Sequence, residues 1–143
     1  MTREDLHAIV AGYVNAWDHR DPTAVAQHHA PDAVAESPIY ATLRGRKAIE
    51  DASRAFFTSF PDARFTIDAV VVDPPNIAIF TTVNATHVNE FFGMPGTNRH
   101  IEFSNARLLE TNEHGLITRE RRIYDFTGLL VQIGVLRAKP AKP

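Results

Sequence analysis

With 143 residues the chain has the length for one domain built on one core, and is short for two. Apolar residues at 44% and charged residues at 22% match an ordinary globular protein and exclude a disordered, fibrous or coiled-coil chain. A formal charge of −2 with no stripe of Lys or Arg excludes the footprint of a nucleic-acid binder, and the lack of cysteine excludes disulfides, thiolate zinc sites and thiol nucleophiles.

Thr2 followed by Asp5 reads as a helix N-terminus. Leu6, Val10, Tyr13, Val14 and Trp17 then recur at three- and four-residue spacing, which predicts one amphipathic helix. Asp21-Pro22 supplies a cap and a proline at the first helical position, so Pro22 to Ala30 is expected as a second, short helix closed by Pro31. Ala33 to Pro38 is expected as a short strand. After Gly45 the pattern Ile49, Ala52, Phe56, Phe57, Phe60 predicts a third helix that ends at Pro61. From there the chain turns β-rich, over Phe65 to Val72, Ile77 to His87, Arg99 to Leu109 and Leu116 to Phe126. Turn chemistry separates these runs at Asp73-Pro74-Pro75-Asn76, Gly93-Met94-Pro95-Gly96 and Asn112-Glu113-His114-Gly115. Consecutive strands with short connections imply an antiparallel meander, and helices with apolar stripes can cover one face of it, which makes the fold class α+β. Thr127 to Val135 is expected as a last short helix. Residues 1–137 then form one domain and residues 138–143 a tail. The opening MTREDLHAIV has acidic residues where a secretory signal needs an apolar run, and no apolar stretch reaches membrane-spanning length, so the expectation is a cytoplasmic protein.

Seven histidines raise the question of a metal. His28 and His29 are adjacent, however, and on a helix would point roughly 100° apart. No His-x-x-x-His or His-Glu-x-x-His occurs, so neither metal nor cofactor is expected. There is no Gly-x-Ser-x-Gly elbow, and Gly93 to Gly96 is too sparse to cradle a phosphate and reads as a hairpin turn. What remains is acid–base chemistry by carboxylates, histidines and tyrosines in an apolar pocket. Alternation in the third β run puts Asn105 and Arg107 on one face with Ile101 and Phe103. In the last run it puts Asp125 on one face with Ile117, Arg119, Arg121 and Ile123. An inward Asp125 flanked by Phe126 and Leu129 would lose hydration and hold a raised pKa; equally, Asp125 is a favoured N-cap for the helix that follows. Tyr13 and Trp17 lie on the apolar stripe of the first helix, where they either pack or, for the Tyr13 hydroxyl, donate a proton into a cavity. His87 shares a face with Ile79, Val83 and Ala85, as a core histidine or a catalytic one.

The element order is similar to the cone-shaped fold shared by ketosteroid isomerase, scytalone dehydratase and nuclear transport factor 2. In that fold a curved antiparallel sheet is covered by three N-terminal helices, here with a short C-terminal helix. Ala16-Trp17-Asp18, Ala30-Pro31-Asp32-Ala33-Val34, Arg44-Gly45-Arg46-Lys47-Ala48-Ile49, Phe60-Pro61-Asp62, Phe92-Gly93-Met94-Pro95 and the closing Tyr124-Asp125-Phe126-Thr127-Gly128-Leu129-Leu130-Val131-Gln132-Ile133-Gly134 narrow the resemblance to polyketide cyclases of the SnoaL type. The resemblance implies a cofactor-independent aldol closure on a hydrophobic, carbonyl-bearing small molecule, with no nucleic-acid or membrane partner and a homodimer formed sheet to sheet. It implies Asp125 as general acid/base; Tyr13 and His87 are the candidate catalytic partners, and Asn105 or Arg121 could equally supply donors to the enolate. Trp17, Asn105, Arg121, Ser37, Phe103 and Tyr40 would contact substrate. Gly12-Tyr13-Val14 resembles the isomerase segment with the oxyanion tyrosine. Ser37 stands where the isomerase carries its general-base aspartate, and Arg107 near its second aspartate, which disfavours isomerisation by that enzyme's route. Limonene epoxide hydrolase has the same fold, but its first Arg-x-Asp pair is not matched near His87-Val88-Asn89. A non-catalytic ligand-binding or dimerisation domain, and an epoxide hydrolase, dehydratase or isomerase, are the alternatives.

Overall fold

A computed structural model describes residues 1–137; the expected tail, residues 138–143, lies outside the described residues. Helix α1 (Arg3–Asp18) begins in a capping box, in which the Asp5 backbone N–H donates to Thr2 Oγ1 at 3.0 Å and the Thr2 N–H to Asp5 Oδ2 at 2.8 Å. The face it buries is the predicted stripe of Leu6, Val10, Tyr13, Val14 and Trp17. Helix α2 (Pro22–Gln27) is capped by Asp21, which accepts from the Ala24 N–H at 3.1 Å. It stops three residues earlier than expected, because the chain enters strand β1 (His29–Ser37) before Pro31. Strand β2 (Ala41–Arg44) turns back on β1. Helix α3 (Arg46–Ser59) buries Ile49, Ala52 and Phe57.

Strands β3 (Arg64–Asp73), β4 (Asn76–Thr86), β5 (His100–Thr111) and β6 (Ile117–Tyr124) form the antiparallel meander, and helix α4 (Phe126–Gln132) follows. The six strands make one curved, unclosed sheet in the order β2-β1-β6-β5-β4-β3. One departure from the all-antiparallel expectation is that β1 pairs parallel with β6, an arrangement made possible by the long excursion between them. The helices cover the inner face, where Ile77, Ile79, Val83, Ile101, Leu109 and Ile117 are buried. Asp18 fastens α1 to β3, accepting from Arg64 Nε at 2.8 Å and from the Phe65 N–H at 2.9 Å; the Arg64 hydrogen bond leads the causes that hold its carboxyl below the ordinary value. Gln132 fastens α4 to β5 by a reciprocal pair with the Glu102 backbone at 2.7 and 2.9 Å. Among the described residues no helix is long and apolar enough to cross a membrane.

The β5 face is as the alternation predicts, with Ile101, Asn105, Arg107 and Leu109 buried. The β6 face is the reverse of the prediction beyond Ile117. Thr111 lies opposite Ile117 but Glu110 lies opposite Arg119, so Thr118 is an extra residue that shifts the register and flips the alternation. Glu120 and Arg122 therefore point inward, with Tyr124 half-buried, while Arg121, Ile123 and Asp125 are exposed.

Candidate functional site

Between the helices and the inner face of the sheet lies a narrow cavity of about 30 Å³, room for roughly one or two water molecules. Its walls are mainly apolar: Trp17 from α1, Ala52 and Phe56 from α3, Phe65 from β3, Phe103 from β5 and Ile39 from the β1–β2 connection. Asn105 and Arg107 of β5 and Arg122 and Tyr124 of β6 add polar groups, and Tyr40 completes the lining. The Arg107 and Arg122 guanidinium carbons lie 4.2 and 4.9 Å from the centroid of the Trp17 ring, so each cation is faced by the ring's negative potential. Tyr40 also borders an open depression of about 420 Å³ between α3 and the segment Asn89 to Phe92, and its ring packs 5.4 Å from that of Phe92. Burial raises the hydroxyl pKa of both Tyr40 and Tyr124, keeping them as donors rather than phenolates.

Behind the cavity the arginines meet a buried carboxylate. Glu120 has no exposed side-chain surface and accepts hydrogen bonds from Arg122 Nε and the Tyr13 hydroxyl. His29 Nε2 lies 3.2 Å from the same carboxylate, and Arg107 Nη1 4.0 Å. Arg107 Nη1 also donates to the Tyr13 oxygen at 2.5 Å. Burial alone would raise the Glu120 pKa, but Arg122, the His29 hydrogen bond and Arg107 outweigh it and hold the carboxyl well below its ordinary value. Burial works against the Arg122 cation, yet Glu120 beside it raises its pKa. His29 Nδ1 lies 2.9 Å from the Val25 carbonyl, so the ring is held at both nitrogens, by α2 on one side and by Glu120 on the other.

Of the sequence-predicted residues, Trp17, Tyr40, Phe103 and Asn105 come together around the cavity. Tyr13 stands behind it in the Glu120 cluster and does not line it; burial raises its hydroxyl pKa. His87 is buried elsewhere, its ring 5.6 Å from Phe60 and its Nδ1 3.1 Å from Thr97 Oγ1. Ser37 is not in the lining; its hydroxyl accepts from the N–H of Tyr40, which is, at 3.1 Å. Arg121 is on the outer face of the sheet, a consequence of the flipped alternation. Asp125 is exposed, accepts from the Gly128 N–H at 2.8 Å as the N-cap of α4, and is not part of the cavity lining. Sequence reasoning missed Glu120, Arg122, His29 and Tyr124. The available signal was Arg107: a cation on a core face requires a buried acid, and Glu120 and Arg122 share one face of the neighbouring strand. Among the described residues no three His, Asp or Glu side chains converge as a metal site would require.

A curved sheet covered by helices, with a small internal cavity that has a few fixed polar groups, is an architecture of the α+β class. The model of the SnoaL-like polyketide cyclase family matches residues 7–133, and the chain belongs to that family. The chain is also 36% identical over 69 residues to a steroid Δ-isomerase of Nocardioides simplex, a match taking in 48% of this chain and 53% of that enzyme, so it spans about half the length of that curated relative. Among solved structures it resembles a SnoaL-like polyketide cyclase from Agrobacterium tumefaciens (19% identical, 90% of this chain and 98% of that one, TM-score 0.73). It likewise resembles a protein of ketosteroid isomerase-like fold from Catenulispora acidiphila (22% identical, 88% and 92%, TM-score 0.76).

Proposed function

We propose that this protein is a cofactor-independent enzyme that carries a hydrophobic carbonyl compound through an enolate, with intramolecular aldol closure of a polyketide as the reaction. The observation that carries the reading is the placing of Arg107, Arg122 and Asn105 at one side of a mainly apolar cavity. An enolate oxygen there would gain charge-assisted hydrogen bonds in a site of low dielectric, where they count for most. In the reaction the carbon between two carbonyl groups loses its proton, the enolate carbon forms a bond to the carbon of a further carbonyl group of the same molecule as that group's C=O π bond breaks, and the resulting alkoxide takes up a proton. No carboxylate among the described residues lines the cavity. The proton therefore passes to water, and catalysis consists mainly of stabilising the enolate. Family resemblance favours a different assignment, Asp125 as the acid/base, and one experiment separates the two.

That experiment is α-proton exchange of small 1,3-diketones in D2O, followed by NMR. Wild-type protein is expected to accelerate exchange over buffer, Arg122→Lys to lose the acceleration, and Asp125→Asn to keep it. Loss of exchange in a folded Asp125→Asn variant would transfer the acid/base role to Asp125; no acceleration by the wild type would sink the enzyme reading in favour of a binding domain.

The reading includes a homodimer formed through the outer face of the sheet. Ala69, Phe80, Ala106 and Ile123 lie side by side across β3, β4, β5 and β6, and Phe80 and Ile123 are 47% and 58% exposed. Val71 and Leu108, 59% and 51% exposed, continue the apolar patch in the next row, an amount of exposed apolar surface that calls for a partner.

A further inference from the structure

Resting on the reading of the cavity as the substrate site, we infer that the ligand it takes is anionic before any reaction occurs: an apolar body carrying a carboxylate or an already ionised enolate, seated by Arg122, Arg107 and Trp17. The charge balance of the buried cluster supports this. Two buried guanidinium groups, Arg107 at 5% and Arg122 at 8% exposure, share one carboxylate, Glu120, whose closest donors also include the His29 ring. The cluster therefore carries a surplus of positive charge with no second acid in the cavity wall. A buried cation without full compensation is costly, and an anionic ligand relieves that cost where a neutral one leaves it in place.

Hydrogen-bonding capacity points the same way. Among the described residues four buried side-chain polar atoms lack a partner, and three belong to the cavity wall: Arg122 Nη2, Trp17 Nε1 and Asn105 Oδ1. Two of the three are obligate donors, and the Asn105 amide becomes a third donor if turned over. Unmet donors around a positive cluster select an oxygen acceptor with negative charge. The cavity itself admits little more than such a head group. Tyr40 borders both it and the larger outer depression, so displacing the Tyr40 ring joins the two spaces and gives the apolar body a place to lie.

Trp17 is the single tryptophan of the chain, so its fluorescence reports on this cavity alone. The experiment titrates the wild-type protein at neutral pH with benzoate against benzyl alcohol, and with the enolate of 5,5-dimethylcyclohexane-1,3-dione against its neutral enol methyl ether. At least one anion is expected to bind about tenfold or more tighter than its neutral counterpart, the worth of one charge-assisted hydrogen bond. The tighter of the two anions identifies the source of the charge. Arg122→Lys keeps a cation beside Glu120 but removes the free Nη2, and is expected to lose that preference while melting as a folded protein. Equal affinity for charged and neutral members of both pairs overturns the inference, and needs no variant. Binding is read without turnover: anion preference with no α-proton exchange keeps this inference and rejects the enolate chemistry, whereas exchange of neutral diketones without anion preference does the opposite.

Discussion

Replacing Glu120 with Gln tests the buried cluster most directly. The amide has the shape of the carboxylate but only one acceptor oxygen. Glu120 Oε1 faces the Tyr13 hydroxyl and His29, and Oε2 faces Arg122 Nε, so the amide keeps its oxygen toward Arg122 and its NH2 can be met only if the Tyr13 hydroxyl or the His29 ring turns acceptor. The variant leaves Arg107 and Arg122 buried without their shared counter-charge. Breaking a buried ion pair by removing one partner costs about 3–5 kcal/mol. For a chain of this size that lowers the melting temperature by roughly 10–20 °C. Urea and thermal unfolding, followed by circular dichroism and by Trp17 fluorescence, measure it at neutral pH. Acid gives a second readout. Because the folded Glu120 carboxyl titrates well below its ordinary 4.5, it contributes stability that is fully present above that value and is lost as pH falls through the lower, folded value. Wild-type stability should fall over that window, and the Gln variant should lack this component. A loss under about 1 kcal/mol, or an unchanged acid limb, would refute the cluster as described. Replacing the pair together, as Glu120→Leu with Arg122→Met, is expected to recover part of the loss, since a buried pair exchanged for apolar groups of similar volume is often neutral.

Three further predictions concern the periphery. Asp125→Ala removes the acceptor for the Gly128 N–H and should cost about 0.5–2 kcal/mol in urea unfolding, whereas Asp125→Asn retains the cap and should cost little. Gly96→Ala would place a Cβ 2.0 Å from the Val88 carbonyl oxygen, a backbone atom that cannot swing aside, and should destabilise by roughly 1–3 kcal/mol in a thermal melt. Ile123→Glu puts a charge in the middle of the outer apolar row and should give a monomer by size exclusion with light scattering. A wild-type protein that is already monomeric at micromolar concentration would end the dimer proposal.

Much of the fold was legible because its signals are periodic and repeated. The stripe of α1 and the capping residues Thr2 and Asp21 occur where three- and four-residue spacing and cap chemistry require. The face of β5 follows from Ile101, Asn105, Arg107 and Leu109 with no interruption. Strand β2 was not legible, since four residues that are mostly exposed carry no alternation to read. The His28-His29-Ala30 segment looked helical because Pro31 is an obvious stop, but His29 already pairs with Ile117 as a strand residue.

The misread part of the site has one local cause. Thr118, the unpaired residue between Ile117 and Arg119, has no compositional mark, and its hydroxyl simply donates to the Glu110 carbonyl at 3.1 Å. Counting alternation across it carries Ile123 and Asp125 inward and Glu120 and Arg122 outward, the inverse of their burial. Charge would have corrected the count. Arg107 is inward by an uninterrupted alternation, a buried cation needs an acid within reach, and β6 offers Glu120 only if its alternation is reversed. The same reversal supplies both proposed working surfaces. With the extra residue in place, the inner face of β6 brings Arg122 to the cavity and Glu120 behind it, while the outer face receives Ile123 beside Ala106 and completes the apolar row. Deleting Thr118 would therefore not trim a loop. It would exchange the ion-pair face for the apolar one, which the buried cluster around Glu120 cannot accommodate, so register and electrostatics specify this strand together.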